Sequence, residues 1–387
     1  ARYKYEERGV LEHIAYLDNS STTKPSERAV QYITRALECS WGNPSSLHSL
    51  GLEAEIALNG ARECIAHSVN ARADEIFFTG SGTEANNTAL LSALRAKGRG
   101  GRIITTAIEH PSVLETAKRL SDYGFEVVRL RPQKNGIVPL SALENALTDN
   151  TLLVSMMLVN NETGAVQPVR EAAALTKRTV PTALFHCDAV QGYGKLPVNV
   201  KQLGVDLLSA SGHKIHGPKG IGFLYCKKGV HINPLITGGG QERGMRSGTE
   251  PTPLIMGLMG AAEELVKPEI QLKKQQELFD YTRDRLLEIG AVINSPDGCL
   301  PYILNASLIG YRSETLLHFL ESRNVFVSSG SACAKGHGSY VLNEMGFDRK
   351  RTDSALRISF SRYNIKEDAD MLVSALEDAK KQLRKAN

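Results

Sequence analysis

Between about residues 74 and 226 the chain alternates short apolar runs with stretches whose apolar positions recur at helical spacing. The runs predict strands over 75–79, 102–106, 126–130, 152–159, 183–187, 205–209 and 221–225, and the intervening pattern predicts helices over 82–95, 112–123 and 170–178. Strand–helix–strand repetition implies a mostly parallel seven-stranded sheet covered on both faces. Ligands on such sheets gather where strands end and helices begin. After Pro253 the pattern changes. A charge-rich helical stretch runs over 263–288 with an interruption near Pro268. It is followed by a strand over 302–308, a helix over 314–322, a strand over 325–328 and a last helix from Lys366. This reads as α/β throughout: a large domain over 15–255, and a smaller α/β domain made of 1–14 and 256–387, with no linker between them.

At 387 residues the chain is long enough for two such units, and 42% hydrophobic against 23% charged residues is an ordinary globular balance. A formal net charge of +4, scattered along the chain, argues against nucleic acid or a membrane surface as partner. The basic residues Lys380, Lys381, Arg384 and Lys385 read as the solvated face of the last helix. No apolar run reaches the length of a membrane span, and the polar start over 1–5 lacks the apolar centre of a signal peptide. Export is therefore not expected, and a cytoplasmic setting is. The six cysteines (Cys39, Cys64, Cys187, Cys226, Cys299 and Cys333) form no CxxC pair and are too widely spaced for a zinc site or a disulfide framework, so no metal is expected. Buried, inert thiols account for most of them.

Three segments carry candidate chemistry. Residues 209–220, Ser-Ala-Ser-Gly-His-Lys-Ile-His-Gly-Pro-Lys-Gly, follow a predicted strand, and their small residues let a backbone approach a ligand closely. Lys214 within them is placed to bond a carbonyl cofactor if its surroundings keep it partly neutral. A lysine in such a loop is nevertheless more often simply solvated. Residues 79–84, Thr-Gly-Ser-Gly-Thr-Glu, stand between a strand and a helix, where free amides with Ser81 and Thr83 form an anion cradle or, more plainly, a capped helix start. The third segment is residues 186–191, His-Cys-Asp-Ala-Val-Gln, where Asp188 follows the apolar run 183–187. A carboxylate there either caps the next turn or pairs with a protonated ring nitrogen, the partner that pyridoxal chemistry requires. Cradle, strand-end aspartate and loop lysine in that order resemble a fold-type-I pyridoxal-phosphate transferase.

The resemblance sharpens on Tyr16-Leu17-Asp18-Asn19-Ser20-Ser21-Thr22-Thr23, Gly42-Asn43-Pro44-Ser45-Ser46, Glu109-His110, Val159-Asn160-Asn161-Glu162-Thr163-Gly164, Ser211-Gly212-His213-Lys214, the glycine-rich 238–249 and Ser328-Ser329-Gly330-Ser331-Ala332-Cys333. Together these resemble the cysteine desulfurases of the class V aminotransferase group, in the branch that serves iron–sulfur cluster assembly. The resemblance implies pyridoxal 5'-phosphate carried covalently by Lys214, with His110 stacked on its ring and shuttling protons. It implies Asp188 on the ring nitrogen, and Asn161 and Gln191 near the ring hydroxyl. Gly82, Thr83, Ser211 and His213 would surround the phosphate, joined by Thr249 from the second subunit of a homodimer. Arg357, with Asn161, would bind the substrate L-cysteine through its carboxylate.

Cys333 would take the sulfur as a persulfide, release L-alanine, and pass the sulfur to an acceptor protein such as an iron–sulfur scaffold or a thiolation protein. Three glycines around it, and Lys335 and His337 nearby, fit an accessible thiolate better than a core thiol. The chain departs from the best-known members of the branch in a shorter segment between Cys333 and Ser339-Tyr340, which implies either a narrower choice of acceptors or acceptors that reach inward. The competing readings are another class V chemistry, selenocysteine cleavage or aminotransfer, and a non-catalytic binding protein that keeps the fold.

Overall fold

The computed structural model describes residues 13–95, 100–265, 267–329 and 338–385. Its strands are β1 (Ala15–Tyr16), β2 (Ile76–Thr79), β3 (Arg102–Thr106), β4 (Glu126–Leu130), β5 (Thr151–Met157), β6 (Leu184–Asp188), β7 (Leu207–Ser211), β8 (Gly222–Cys226), β9 (Val292–Ile293), β10 (Ile303–Ser307), β11 (Val325–Phe326) and β12 (Ala355–Ser359). Seven of them form one sheet in the order β2-β8-β7-β6-β5-β3-β4. The β3–β4, β3–β5, β5–β6 and β6–β7 pairs are parallel, while β8 runs against both β7 and β2.

Burial on both faces explains why these strands read as continuous apolar runs. Adjacent residues sort to opposite sides: Phe78, Ile104, Val154 and Leu208 join one apolar cluster, and Phe77, Ile103, Leu153 and Leu207 join another. The first cluster is closed by helices Ser49–Ser68, Val169–Thr179 and Thr252–Glu263, through Ile65, Ala172 and Leu258. The second is closed by helices Gly82–Leu91 and Pro111–Asp122, through Leu90, Val113 and Leu120. The register Met157↔Asp188↔Ser209 sets the carboxyl ends of β5 and β6 side by side, level with the middle of β7.

A further apolar cluster unites Ala15 and Leu17 with residues between Leu278 and Ala379. It lies under an antiparallel sheet, β12-β10-β9, and helices Pro268–Glu288, Ser313–Glu321 and Lys366–Gln382. The short β1–β11 pair is parallel, with Ala15 opposite Val325. Residues 256–263 pack with the larger sheet, because their helix buries Leu258 and Ala261 in its cluster. The expected N-terminal contribution over 1–14 lies almost wholly outside the described residues.

Local chemistry moved several boundaries. Pro268 opens its own helix at a position where its missing N–H costs nothing, so the interruption expected near it is the gap between helix Thr252–Glu263 and helix Pro268–Glu288. Helix 82–95 tightens into a 3-10 turn at Ser92–Arg95. The strand expected over 325–328 ends at Phe326, and Ser328 forms an isolated bridge with Arg357. Helices Glu27–Cys39 and Ser49–Ser68 had no counterpart in the sequence reading.

Candidate active site

A cavity of about 370 Å3 opens at the carboxyl ends of the central strands, within the size range of small-ligand sites. Among its walls are Gly82, Thr83, His110, Asn161, Asp188, Gln191, Ser211, His213, Lys214 and Arg357. Ten residues singled out in the sequence therefore meet in one place. Thr249 does not: it is exposed, in the loop after Gly248. Cys333 lies outside the described residues, as do Lys335 and His337. Its described flanks do not, and both Ser329 and Tyr340 line the cavity.

Lys214 ends the turn that follows β7. Its Nζ donates to the carbonyls of Ser20 (2.6 Å) and Ser21 (2.7 Å). Burial, and then the neighbouring Arg357 guanidinium, lower its pKa to about 8, against the pull of Asp18 and Asp188. Asp188 closes β6. Its Oδ2 accepts from Asn86 Nδ2 (2.7 Å) and its Oδ1 accepts from the Val190 amide (2.9 Å). Capping of the next turn and an inward-facing carboxylate thus coexist in this one side chain.

His110 caps helix Pro111–Asp122, with its Nδ1 accepting from the Ser112 amide at 3.1 Å. That bond leaves the hydrogen of the neutral ring on Nε2. The residue is exposed, yet the desolvation that the surrounding protein imposes on its ring lowers its pKa; Asp188 opposes the shift and Lys214 adds to it. Burial, then Lys214, Lys219 and Lys195, lower His213 to about 4.

Arg357 lies at the centre of β12 and is 6% exposed. Its Nη2 donates to Asp18 Oδ1 (2.9 Å) and Ser21 Oγ (2.5 Å), and its Nη1 to the Asn161 carbonyl (3.2 Å). Its Nε is buried and without a partner. The strand therefore carries a cation from the smaller sheet into the cavity of the larger one.

Two acids were quoted within the sequence motifs without a role. Burial and Asp188 raise Glu109 to about 8, while burial raises Glu162 to about 7, so both hold protons near neutrality. Glu109 accepts from Thr106 and the Met157 amide (both 2.8 Å), and Glu162 accepts from Ser339 Oγ. Tyr340 donates to the Glu109 carbonyl at 2.6 Å, which fastens the far side of the Cys333 segment beside His110. Gly164, at φ +75°, makes the turn after Asn161. A Cβ there would sit 2.9 Å from the Ile303 carbonyl.

The cavity fits a phosphorylated aromatic aldehyde by three observations. Ser211 Oγ and Asn161 Oδ1 are buried with no partner, a costly state that a polar ligand relieves. The first amides of helix Gly82–Leu91 have no intrahelical acceptor, and this end favours an anion. Finally, a Cβ at Gly82 would stand 2.7 Å from Val190 Cγ2 and 3.3 Å from Ser211 Cβ, so glycine lets the helix start come close both to the turn after β6 and to the end of β7. Ser81 serves first as the helix cap, accepting from the Glu84 amide (3.1 Å).

Of the described cysteines, Cys187, Cys226 and Cys299 are buried and Cys39 is exposed. Burial pushes the last two buried thiols up to about 12, so they are unreactive. No cluster of metal-ligating side chains occurs among the described residues, and no helix there is long and apolar enough to cross a membrane.

Comparison with known proteins gives concordant results. The family model for aminotransferase class-V matches residues 15–372. A cysteine desulfurase of Nostoc sp. is 40% identical over 380 residues, covering 96% of this chain and 94% of the relative. A solved NifS-like protein superposes with a TM-score of 0.91 at 38% identity, over 96% of this chain and all of that one. Another solved relative, SspA in complex with cysteine, has a TM-score of 0.80 at 34% identity, over 90% of this chain and 99% of its own.

Proposed function

This chain belongs to the class-V aminotransferase family, on its cysteine desulfurase branch, and from that membership we propose that it moves sulfur from free L-cysteine to Cys333, releasing L-alanine. The observation that carries the proposal is the meeting of Lys214, Asp188 and Arg357 around one cavity that both described flanks of the Cys333 segment also line.

Pyridoxal 5'-phosphate, when bound, supplies an electron sink for negative charge at the substrate α-carbon. Lys214 holds it covalently through Nζ, and the depressed pKa keeps a useful fraction of that amine neutral. Asp188, fixed by Asn86 and Val190, keeps a proton on the ring nitrogen. The Gly82 and Thr83 amides, with the Ser211 hydroxyl, hold the phosphate, and His213 stands beside them.

Arg357 receives the substrate carboxylate. Its Nε donor is unused, and Asp18 and Ser21 fix the plane of the guanidinium. Lys214 Nζ, once released, takes the proton from the α-carbon. The Cys333 thiolate attacks the substrate sulfur, so an S–S bond forms as the C–S bond breaks. The electron pair of the broken bond stays with carbon, which takes up protons and leaves as alanine. Cys333 then carries the persulfide and offers it to an acceptor protein, with an iron–sulfur scaffold or a thiolation protein as the class. A homodimer, in which Thr249 reaches the phosphate of the second copy, and a cytoplasmic setting complete the reading.

The test is Cys333→Ala. The variant binds pyridoxal phosphate and changes colour with cysteine, but forms no persulfide and little alanine. Alanine production equal to that of the unaltered protein refutes the assignment of the sulfur acceptor.

A further inference from the structure

One buried cation takes no part in the chemistry above. Lys195, four residues beyond Gln191, is 6% exposed and forms no ion pair among the described residues. Its Nζ donates to Gln191 Oε1 at 3.0 Å and lies 5.7 Å from the centre of the Tyr302 ring. Burial, then Lys214 and Arg357, lower its pKa to about 7. An ammonium enclosed this way is costly, and a hydrocarbon side chain would fill the volume at no such cost.

The contacts of Gln191 show what the amine does. A carboxamide is nearly symmetric in shape, so its orientation is set only by what faces each end. Lys195 Nζ faces one end and, charged or neutral, presents N–H hydrogens to the amide oxygen there. The carbonyl of Ser20 faces the other and can only accept; Gln191 Nε2 donates to it at 3.0 Å. The same carbonyl accepts from Lys214 Nζ at 2.6 Å. Ser20 and Gln191 line the main cavity, whereas Lys195 lies behind it, on a small second cavity that Lys214 also borders. The four groups form a line: Lys195 Nζ, the Gln191 amide, the Ser20 carbonyl, Lys214 Nζ.

We propose that Lys195 is a positioning residue of the cofactor site, acting through Gln191: it holds the amide oxygen away from the cavity and so keeps the N–H end on the Ser20 and Lys214 side, as a donor to an oxygen of the bound ligand. This rests on the reading of the cavity as a pyridoxal-phosphate site with Gln191 in its wall. Without Lys195 the amide is free to turn over, which would set a carbonyl against the Ser20 carbonyl or the ligand oxygen.

A double-mutant cycle on cofactor binding tests the inference. Pyridoxal phosphate is titrated into the cofactor-stripped full chain as unaltered protein, Lys195→Met, Gln191→Ala and the double variant. Dissociation constants and the absorption maximum of the bound cofactor are read for each, with the Tm of the stripped protein as control. Lys195→Met and Gln191→Ala should each weaken binding about tenfold, the scale of one hydrogen bond in a buried site. The double variant should be no weaker than Gln191→Ala alone, because the lysine acts only through the amide. The Tm of the stripped Lys195→Met protein should not fall, since a buried charge has gone.

Binding by Lys195→Met within twofold of the unaltered protein, or losses that multiply in the double variant, overturns the role of Lys195 while leaving the cofactor site standing. Unchanged binding by Gln191→Ala overturns the reading of Gln191 itself, and the inference with it. Gln191→Glu keeps the question open to test should Lys195→Met not fold. It gives the lysine a carboxylate but removes the donor, so it too should weaken binding about tenfold at undiminished Tm; unweakened binding counts against the inference.

Discussion

Cofactor capture by Lys214 should follow a pH profile that an ordinary lysine could not give. Only the neutral amine attacks an aldehyde. With a pKa of about 8, against a usual value of 10.5, roughly a tenth of Lys214 is neutral at pH 7, where an unshifted lysine would be neutral in about 3 molecules in 10,000. Capture at pH 7 is thus on the order of 300-fold faster than for an unperturbed lysine. The sign is fixed: the observed rate rises about tenfold per unit below pH 7 and levels off above about 8.

Stopped-flow absorbance on the stripped protein reads this directly. The window from pH 7 to 10 lies above the second ionisation of the phosphate, near 6. The structure also names a perturbation. Burial is the larger cause of the shift and Arg357 the second, while Asp18 and Asp188 pull the other way. Arg357→Met removes the opposing cation and leaves both carboxylates, so the plateau should move to higher pH and capture at pH 7 should slow. A rate that climbs without a plateau to pH 10 in the unaltered protein, or a profile that Arg357→Met leaves in place, would refute the reasoning.

Three other outcomes follow from the same kind of reading. Glu109 titrates at about 8 when folded, so the fold binds a proton that the unfolded chain has lost; the resulting stability is lost as pH rises from about 4.5 through 8, and Glu109→Gln should show a smaller fall between pH 5 and 8, by a few kcal/mol at most, in denaturant unfolding. Arg62 and Glu242 form a buried two-pronged pair at 2.7 Å that also takes in the Phe78 amide; Arg62→Met strands the carboxylate and should cost about 3–5 kcal/mol, and a loss under 1 kcal/mol would show that the pair does not hold the strained Glu242–Arg243 turn. Gly82→Ala places a Cβ 2.7 Å from Val190 Cγ2 and should weaken pyridoxal phosphate at least about tenfold while costing about 1–3 kcal/mol of stability; unaltered affinity would show that the helix start is not the phosphate cradle.

The strands were legible because both faces of the sheet are buried, so apolar runs such as 152–157 and 207–210 announce themselves without alternation. Helices Glu27–Cys39 and Ser49–Ser68 were not. The first buries only Ala29 and Ala36, and Leu50, Leu52 and Ile56 of the second are exposed, so large apolar side chains do not mark the buried face. Ten of the candidate site residues, singled out by motif spacing and family resemblance, line one cavity. Lys195 was not, because Gly-Tyr-Gly-Lys-Leu-Pro reads as a turn with a solvated lysine. Its enclosure comes partly from Tyr302, more than a hundred residues away, and no local pattern records that contact.

The arrangement of β12 explains why a site of this kind would draw on two sheets. The Arg357 amide donates to the Ser328 carbonyl at 2.6 Å, and the Ser328 amide donates back to the Arg357 carbonyl at 3.1 Å. One backbone unit therefore carries both the guanidinium proposed to hold the substrate carboxylate and the segment that leads from Ser329 to Cys333. The strand ends of the larger sheet carry the amine and the aspartate. In the proposed reaction the thiolate must meet a sulfur whose position is set by the carboxylate clamp. Joining clamp and segment across one backbone bridge fixes the origin of one relative to the other, so a shift of β12 against the larger sheet carries both. Fixed relative placement of reacting groups is a large part of what a site contributes to rate. Here it follows from two hydrogen bonds between residues 29 positions apart in sequence.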